Sequence, residues 1–453
     1  MKVIIAGCGK VGKTILQSML KEKHEVVVLD SNAKVVEETT NTYDAIGLCG
    51  NCTSYADLTE AGARDAELFI AVTTSDELNM LSCFIAKKLG AKHTVARIRN
   101  TNLTDENLEF LKQSLELSMI INPEFLTAKF IYNVIKLPSV TKVDTFTSGV
   151  FELLELTIKN DCKALGLPLI ELRKKLTENF LVVAVQRGEE VFIPNGNTTL
   201  EVGDKVCVMA STNEVHSLLK SFGIIAKTIR DVMIIGAGKT SLYLSKLLSA
   251  GKTNVKIIEK VKENCVMASQ TLDDKIMILH GDGMSQDVLN EAGVDKTGAF
   301  VALTGQDEEN ILMSFYALKQ NCEKVITKVN RNELLSISEN LGLDTVISPK
   351  KTVADVLIRY ARALENSMES KIETLYTIMG GGAEVAEFKV LPGCSLIGTP
   401  IKDLPLKSNV LICGIVRNGK SIIPGGFDEI NEGDAVIIAS DNESVADLED
   451  IIK

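Results

Sequence analysis

The sequence contains no tryptophan, four histidines and no apolar run near the ~18 residues that a membrane-spanning helix needs. The chain is therefore not expected to cross a membrane by a helix. It also lacks positive excess: 49 Lys and Arg against 60 Asp and Glu leave a net charge of −11, which argues against a nucleic-acid surface. No helical pattern has a strongly basic polar face, so direct binding to a membrane surface is not expected either. The first residues run straight into a strand pattern, so no signal peptide is expected. The ten cysteines are scattered, as for free thiols in a reducing compartment. Cys49 and Cys52 have C-x-x-C spacing, but no second pair completes a zinc site. Gly50-Asn51 between them reads as a turn, not the helix start usual for a redox pair. No metal is predicted.

What is present begins at Lys2–Asp30, which reads as strand, glycine turn, helix, strand and acid. Val3–Ile5 is a short apolar run, as for a buried parallel strand. Gly7, Gly9 and Gly12 follow with G-x-G-x-x-G spacing, and Asp30 closes the second strand 18 residues after Gly12. This is the pattern of a dinucleotide-binding turn. Gly7 permits the tight turn, Gly9 lets backbone approach a pyrophosphate, and Gly12 lets helix pack on strand. Free N–H groups at the helix start attract phosphate. Asp30 lies where a carboxylate can accept hydrogen bonds from the ribose hydroxyls. The plain rival is that these glycines serve packing alone.

Strands at 43–48, 68–72, 94–98 and 119–121 then alternate with helices, one of them near 106–112, which predicts a parallel, doubly wound α/β sheet. Ligands of such sheets sit at the carboxyl ends of the strands. There the pattern puts the glycine turn, Asp30, Asn51, Cys52, Thr73, Thr74 and Arg97. Asn122-Pro123 starts a strongly apolar helix that stops before Pro138, expected to bridge to another domain or subunit, with an ordinary core helix as the alternative. From about Thr141 short strands and turns indicate a small α+β module, with strands at 151–158, 181–186, 190–193 and 205–210 and a closing helix at 213–222.

The chain then repeats. Asp231–Lys239 mirrors Val3–Lys10, and Glu259 ends its strand as Asp30 does. Gly281-Asp282 mirrors Gly50-Asn51; Thr304, Asp307, Glu308 and Asn310 mirror Thr73, Asp76, Glu77 and Asn79 at an offset of 231. Lys328 stands for Arg97. Pro194, Gly203 and Asp204 return as Pro424, Gly433 and Asp434 at an offset of 230. The expected organisation is two Rossmann-like domains, 1–138 and 227–369, each with its bridging helix and each followed by a small α+β domain, 139–226 and 370–453.

Gly7–Thr14 also fits the P-loop pattern, with Lys13 for phosphate and Thr14 for magnesium. Against it, Gly238-Lys239-Thr240 in the second copy has Met233 at the place of the first P-loop glycine, and the fourth strand ends in Thr73 where a metal-side acid would be needed. Asp30 repels a 2′-phosphate and no Arg follows it, so NAD or an adenine nucleotide is favoured over NADP. The second site has Ser241 for the third glycine, expected to push helix and strand slightly apart, and Lys260 beside Glu259. Lys10 and Lys239 either reach a phosphate or are solvated; Arg97 either contacts phosphate or forms an interdomain ion pair. Thr73 and Thr74 line the cleft, cap the next helix, or both. His24 and His93 precede strands, His216 lies on a module's closing helix, and His280 has Cys49 as its repeat partner. A dehydrogenase needs a proton donor facing the nicotinamide. No such set emerges, so binding without turnover is preferred over an NAD-dependent oxidoreductase, and no catalytic residue is assigned.

The doubled order of GCGKVG, Asp30, TTSDELN, ARIRN and the twin PNG/GD modules resembles the regulatory subunits of Trk-type potassium uptake systems over essentially the whole chain. The large domains resemble RCK N-terminal domains and the small ones RCK C-terminal domains. The resemblance implies a cytosolic gating ring, not an enzyme, that binds NAD(H), and in some members ATP or ADP. It also implies docking on a membrane potassium-translocating subunit, hence a cytoplasmic location at the inner face of the membrane, and assembly as homodimers or homotetramers. Carried over, the cofactor contacts fall on Gly7, Cys8, Gly9, Lys10, Val11, Asp30, Thr73, Thr74 and Arg97. By the repeat they fall on Gly236, Ala237, Gly238, Lys239, Thr240 and Glu259. Ser241 and Lys328 depart from the pattern.

Overall fold

Alternating buried runs and amphipathic helices build the first half as β1 (Lys2–Ala6), α1 (Lys10–Lys21), β2 (Glu25–Asp30), α2 (Ala33–Thr42), β3 (Ile46–Cys49), α3 (Tyr55–Glu60), β4 (Leu68–Ala71), α4 (Asp76–Leu89), β5 (His93–Arg97), α5 (Asp105–Ser114), β6 (Met119–Ile121) and α6 (Pro123–Lys136). The structure is a computed structural model and describes all residues except 101–104, 138–139, 147–148, 225–228, 252, 344, 370–371, 442–444 and 446. Pro138 and the expected boundaries at 138–139, 226–227 and 369–370 fall on or beside residues outside that set. The strands form one parallel sheet in the order β3-β2-β1-β4-β5-β6. The chain order reverses between β1 and β4, which opens a crevice beyond their carboxyl ends.

The second stretch runs through β7 (Val140–Phe146), β8 (Phe151–Thr157), α7 (Leu169–Lys175), β9 (Phe180–Arg187), β10 (Glu190–Phe192), β11 (Lys205–Ser211) and α8 (Val215–Ser221). The doubly wound pattern returns as β12 (Asp231–Ile235), α9 (Lys239–Ala250), β13 (Asn254–Glu259), α10 (Lys262–Thr271), β14 (Met277–His280), α11 (Gln286–Glu291), β15 (Ala299–Ala302), α12 (Asp307–Lys319), β16 (Lys324–Lys328), α13 (Asn332–Asn340), β17 (Thr345–Ile347) and α14 (Pro349–Glu369). Its sheet order, β14-β13-β12-β15-β16-β17, repeats the first. Last come β18 (Ile372–Ile378), β19 (Ala383–Lys389), β20 (Val410–Arg417), β21 (Lys420–Ile422) and β22 (Ala435–Asp441). The two small sheets, β10-β9-β11-β8-β7 and β18-β19-β22-β20-β21, are antiparallel and share one topology.

The fold class is the expected one, with four differences in detail. The third strand starts later than expected, at Ile46. The helix α2 has no counterpart in the sequence reading, because three threonines dilute its helical pattern. Strands β7 and β18 also went unrecognised; β7 has polar residues in adjacent pairs, Thr141-Lys142 and Asp144-Thr145, which breaks a strand's alternation, and it lies at the edge of its sheet. Among the described residues, the final module carries short 3-10 turns where its first copy has α7 and α8.

Contacts group the chain into two compact units. One combines Met1–Ile135 with Ile229–Ile358, and the other combines Lys136–Thr228 with Arg359–Lys453. In the first, Ala128, Ile131, Val134 and Ile135 of α6 are buried in one core with Val232, Ile234, Leu244 and Leu248 of the second half. At about 25 cal/mol per Å² of apolar area removed from water, such a face holds the halves firmly together. Asn122 Nδ2 donates to the Tyr243 hydroxyl at 3.0 Å, and Phe125 stacks edge-on against that ring. In the second unit, Phe146, Phe151, Leu153, Val183 and Met209 share a core with Ile378, Val385, Cys413 and Ile437.

Candidate functional site

The first cleft opens where β1 ends. Gly7 has φ +101°, and a Cβ there would lie 2.9 Å from the Thr73 nitrogen, so only glycine fits. A Cβ at Gly12 would lie 1.9 Å from the Gly7 carbonyl oxygen, so α1 rests on the turn itself. At Gly9 a Cβ would meet nothing within 4 Å, and no side chain caps the helix it starts. Asp30 closes the geometry: its carboxylate accepts from the Cys8 N–H at 2.7 Å and the Asn32 N–H at 2.9 Å. A carboxylate has about four lone-pair sites, so these two bonds orient Asp30 and leave acceptor capacity facing the cleft. Cys8 supplies only backbone: its thiol is buried, and burial, with Asp30 beside it, pushes its pKa up to about 12.

The cleft measures 280 Å³ and is lined by Gly7, Gly9, Asp30, Asn51, Cys52, Thr73 and Thr74, among others. Its floor is set by Asn79, which is fully buried. The Asn79 amide oxygen accepts from Thr73 N–H at 2.8 Å and Thr73 Oγ1 at 2.7 Å, while its nitrogen donates to the Arg97 carbonyl at 2.9 Å. One side chain thus fixes the ends of β4 and β5. Asn310 repeats the device on Thr304 N–H (3.0 Å), Thr304 Oγ1 (2.6 Å) and the Lys328 carbonyl (2.9 Å). The recurrence at offset 231 was visible in the sequence, but this role was not assigned there.

The second cleft, 400 Å³, is lined by Gly236, Gly238, Glu259, Lys260, Asp282 and Thr304, among others. Its turn is looser: a Cβ at Gly236 would lie 3.3 Å from the Thr304 nitrogen, against 2.9 Å in the first copy. Ser241 stands where Gly12 packs, consistent with the expected separation of helix and strand, and its hydroxyl is buried without a partner. The Glu259 carboxylate accepts from Ala237 N–H at 2.6 Å and Val261 N–H at 2.7 Å, the counterparts of the two bonds to Asp30, but is only 8% exposed. Lys260 pairs instead with Asp282 at 2.7 Å across the mouth. That bond holds the Asp282 carboxyl below its ordinary range and raises the Lys260 ammonium. Ala237 and Thr240 are buried packing residues. Lys328 donates to the Leu303 carbonyl at 2.9 Å, and burial lowers its pKa.

Several expected residues face elsewhere. Arg97, Lys10 and Val11 line a separate cavity between the two halves of this unit, not the first cleft. Arg97 is 8% exposed and donates to the Thr73 carbonyl. Lys239 is exposed and donates to the Arg99 carbonyl of the first half at 3.1 Å. Lys13 lies 3.7 Å from Glu38, and the Thr14 hydroxyl donates back to the Lys10 carbonyl at 2.9 Å, so neither is arranged as in a P-loop. Cys49 is exposed and Cys52 buried, both as free thiols.

The TrkA-N domain family matches residues 3–123 and 232–349, and the TrkA-C domain family matches 153–223 and 385–453. The chain is 31% identical over 453 residues to a Trk system potassium uptake protein TrkA homolog of Archaeoglobus fulgidus, covering all of both chains. It is 28% identical to the Trk system potassium uptake protein TrkA of Halomonas elongata, covering 99% of this chain and 98% of that one. Among solved structures it is similar in fold to the GsuK RCK domain (TM-score 0.64, 17% identity, 97% and 92% coverage). It is likewise similar to the GsuK channel bound to NAD (TM-score 0.65, 16% identity, 97% and 77% coverage). With its two TrkA-N and two TrkA-C domains in alternation, the chain belongs to the TrkA family of Trk-system potassium uptake proteins.

Proposed function

We propose that the first cleft holds NAD(H) as a signal and that the chain is the regulatory subunit of a Trk-type system. In that role it docks from the cytoplasmic side on a membrane potassium-translocating subunit and gates it. The observation that carries this reading is the coupling of Asp30 to the glycine turn. One carboxylate orders the Cys8 amide beside the open Gly9 and keeps lone pairs for a ribose at the topological switch point. The names of the relatives support the potassium system, and the solved neighbours include GsuK bound to NAD and GsuK bound to ADP. Among the described residues no helix is long and apolar enough to cross a membrane, consistent with a peripheral subunit held by its partner. The four domains divide near 138, 226 and 369, and the subunit assembles as a homodimer or homotetramer.

The two sites are unequal in this reading. Glu259 is only 8% exposed and the Lys260–Asp282 pair crosses the mouth, so the second cleft binds NAD(H) more weakly or takes ATP or ADP instead. Regulation needs a ligand with different affinity for two arrangements of the subunit; turnover of NADH plays no part. Titration of the purified protein with NADH, NAD, ATP and ADP tests this, and the absence of binding by all four overturns it. Asp30→Ala should weaken NADH at the first site by about 10- to 100-fold, the loss of charge-assisted hydrogen bonds to the ribose. Unchanged affinity means the ribose lies elsewhere. NADH oxidation by a small substrate would favour the oxidoreductase alternative.

A further inference from the structure

A pocket of 330 Å³ lies between α11 and α12 in the second half. Leu312, Phe315, Tyr316 and Lys319 line it from α12. They stand at i, i+3, i+4 and i+7, so one face of that helix supplies them. Leu289 and Met313 are its buried residues, 2% and 3% exposed, while Leu312 and Met284 stay open to solvent. The Tyr316 hydroxyl donates to Asn290 Oδ1 at 2.8 Å, which leaves the ring to serve the pocket. Gly283 and Met313 line the second cleft as well. A Cβ at Gly283 would lie 3.0 Å from the Met313 sulfur, so backbone and thioether touch where the two spaces adjoin.

The polar part of the lining has one sign. Among the described residues no carboxylate lines the pocket, and the Lys319 ammonium and the Gln286 amide have no side-chain partner. A cation and an amide donor beside apolar walls complement an anion on a hydrophobic body. Methionine sulfur and aromatic edges favour a ring as that body. A rigid ring also loses less rotational freedom on binding than a chain does. Small-molecule sites run from about 300 to 1,000 Å³, so this one suits one or two rings. The repeat does not copy the lining: Cys52, Tyr55, Ser82 and Ile85 stand for Gly283, Gln286, Met313 and Tyr316 at offset 231. The pocket therefore owes nothing to the features that both nucleotide clefts share.

We infer that this pocket binds a small aromatic carboxylate, its ring among Met284, Leu289, Met313 and Phe315 and its carboxylate on Lys319 and Gln286. An occupant that shifts Met313 also reshapes the wall of the second cleft, which makes the pocket an effector site for whatever that cleft holds. The effector role rests on the second cleft being a nucleotide site; the binding of the carboxylate does not.

Titration of full-length protein carrying ¹³C-methyl methionine with 2-naphthoate tests this, with Met284→Leu and Met313→Leu assigning the two resonances. Both methyls should shift together along one saturable curve. A shift of Met313 without Met284 would put the ligand in the second cleft, which Met284 does not line, and overturns the site. Lys319→Glu should weaken 2-naphthoate by about 5- to 20-fold, since a charge-assisted bond is exchanged for repulsion. The uncharged 2-naphthylmethanol should bind wild type and Lys319→Glu alike. Lys319 is exposed at the end of α12, so its variant keeps the fold. No shift at millimolar 2-naphthoate, an unaffected Lys319→Glu, or equal or tighter binding of decanoate overturns the assignment. Saturating 2-naphthoate should change ADP affinity, and saturating ADP should change 2-naphthoate affinity by the same factor. If ADP binds with unchanged affinity, the effector role falls; if ADP does not bind at all, the nucleotide reading of that cleft falls and takes the effector role with it. In both cases the methionine shifts still decide the site.

Discussion

Replacing Asn79 by alanine is the sharpest test of how the first cleft is built. Asn79 is fully buried, and its amide joins three backbone and side-chain groups of Thr73 to the Arg97 carbonyl. Truncation leaves the Thr73 N–H and the Arg97 carbonyl without partners at the ends of two adjacent strands. An unsatisfied buried group costs about 1–3 kcal/mol, and strand ends relax in part, so a loss of about 2–4 kcal/mol is expected. For a domain of this size that is a melting shift of roughly 5–15 °C. The assay is calorimetry with hydrogen exchange: the Thr73 amide should exchange faster, while the matching Thr304 amide keeps its protection. Asn310→Ala should reverse that pattern, and the two effects should add, since the staples lie in separate sheets. A melting shift below about 1 °C with unchanged Thr73 exchange would refute the role given to Asn79.

Two further outcomes follow from other positions. Gly12→Ala puts a Cβ 1.9 Å from a backbone oxygen that no rotamer can move. It should cost about 1–3 kcal/mol and weaken NADH at the first cleft, read by melting and titration; Ser241→Gly should leave stability nearly unchanged. In the small module, burial alone would raise the Asp204 carboxyl, but Arg187 (2.9 and 2.7 Å) and the Glu201 amide (2.9 Å) outweigh it and hold it below its ordinary range. A depressed carboxylate contributes stability above its unfolded value, about 4, and loses it as pH falls through the folded value. The melting difference between wild type and Asp204→Asn should therefore shrink as pH is lowered below about 4; a difference independent of pH would contradict it.

The glycine turn, Asp30 and the doubled order of strands and helices were legible because they are local or periodic. A strand buried on both faces is an apolar run, a turn at φ +101° demands glycine, and a duplicated fold repeats its residues at a fixed offset. Edge strand β7 and helix α2 were not legible, since their short, polar-rich segments are held by neighbours and not by their own pattern.

The sequence by itself therefore determined the family, the parallel architecture, the internal duplication and which acids close the second strands. Tertiary structure alone decided where the ends of those strands point. Arg97 and Lys10 belong to the same cofactor pattern as Asp30 but line a different cavity, one completed by residues of the second half. Glu259 copies Asp30 down to its two backbone amides, but the packing around it leaves it only 8% exposed. The cavity at the seam gathers helix starts as distant in sequence as Lys10 and Lys350. Local pattern sets which residues end a strand or begin a helix; the direction of their charges depends on side chains that folding brings from elsewhere in the chain.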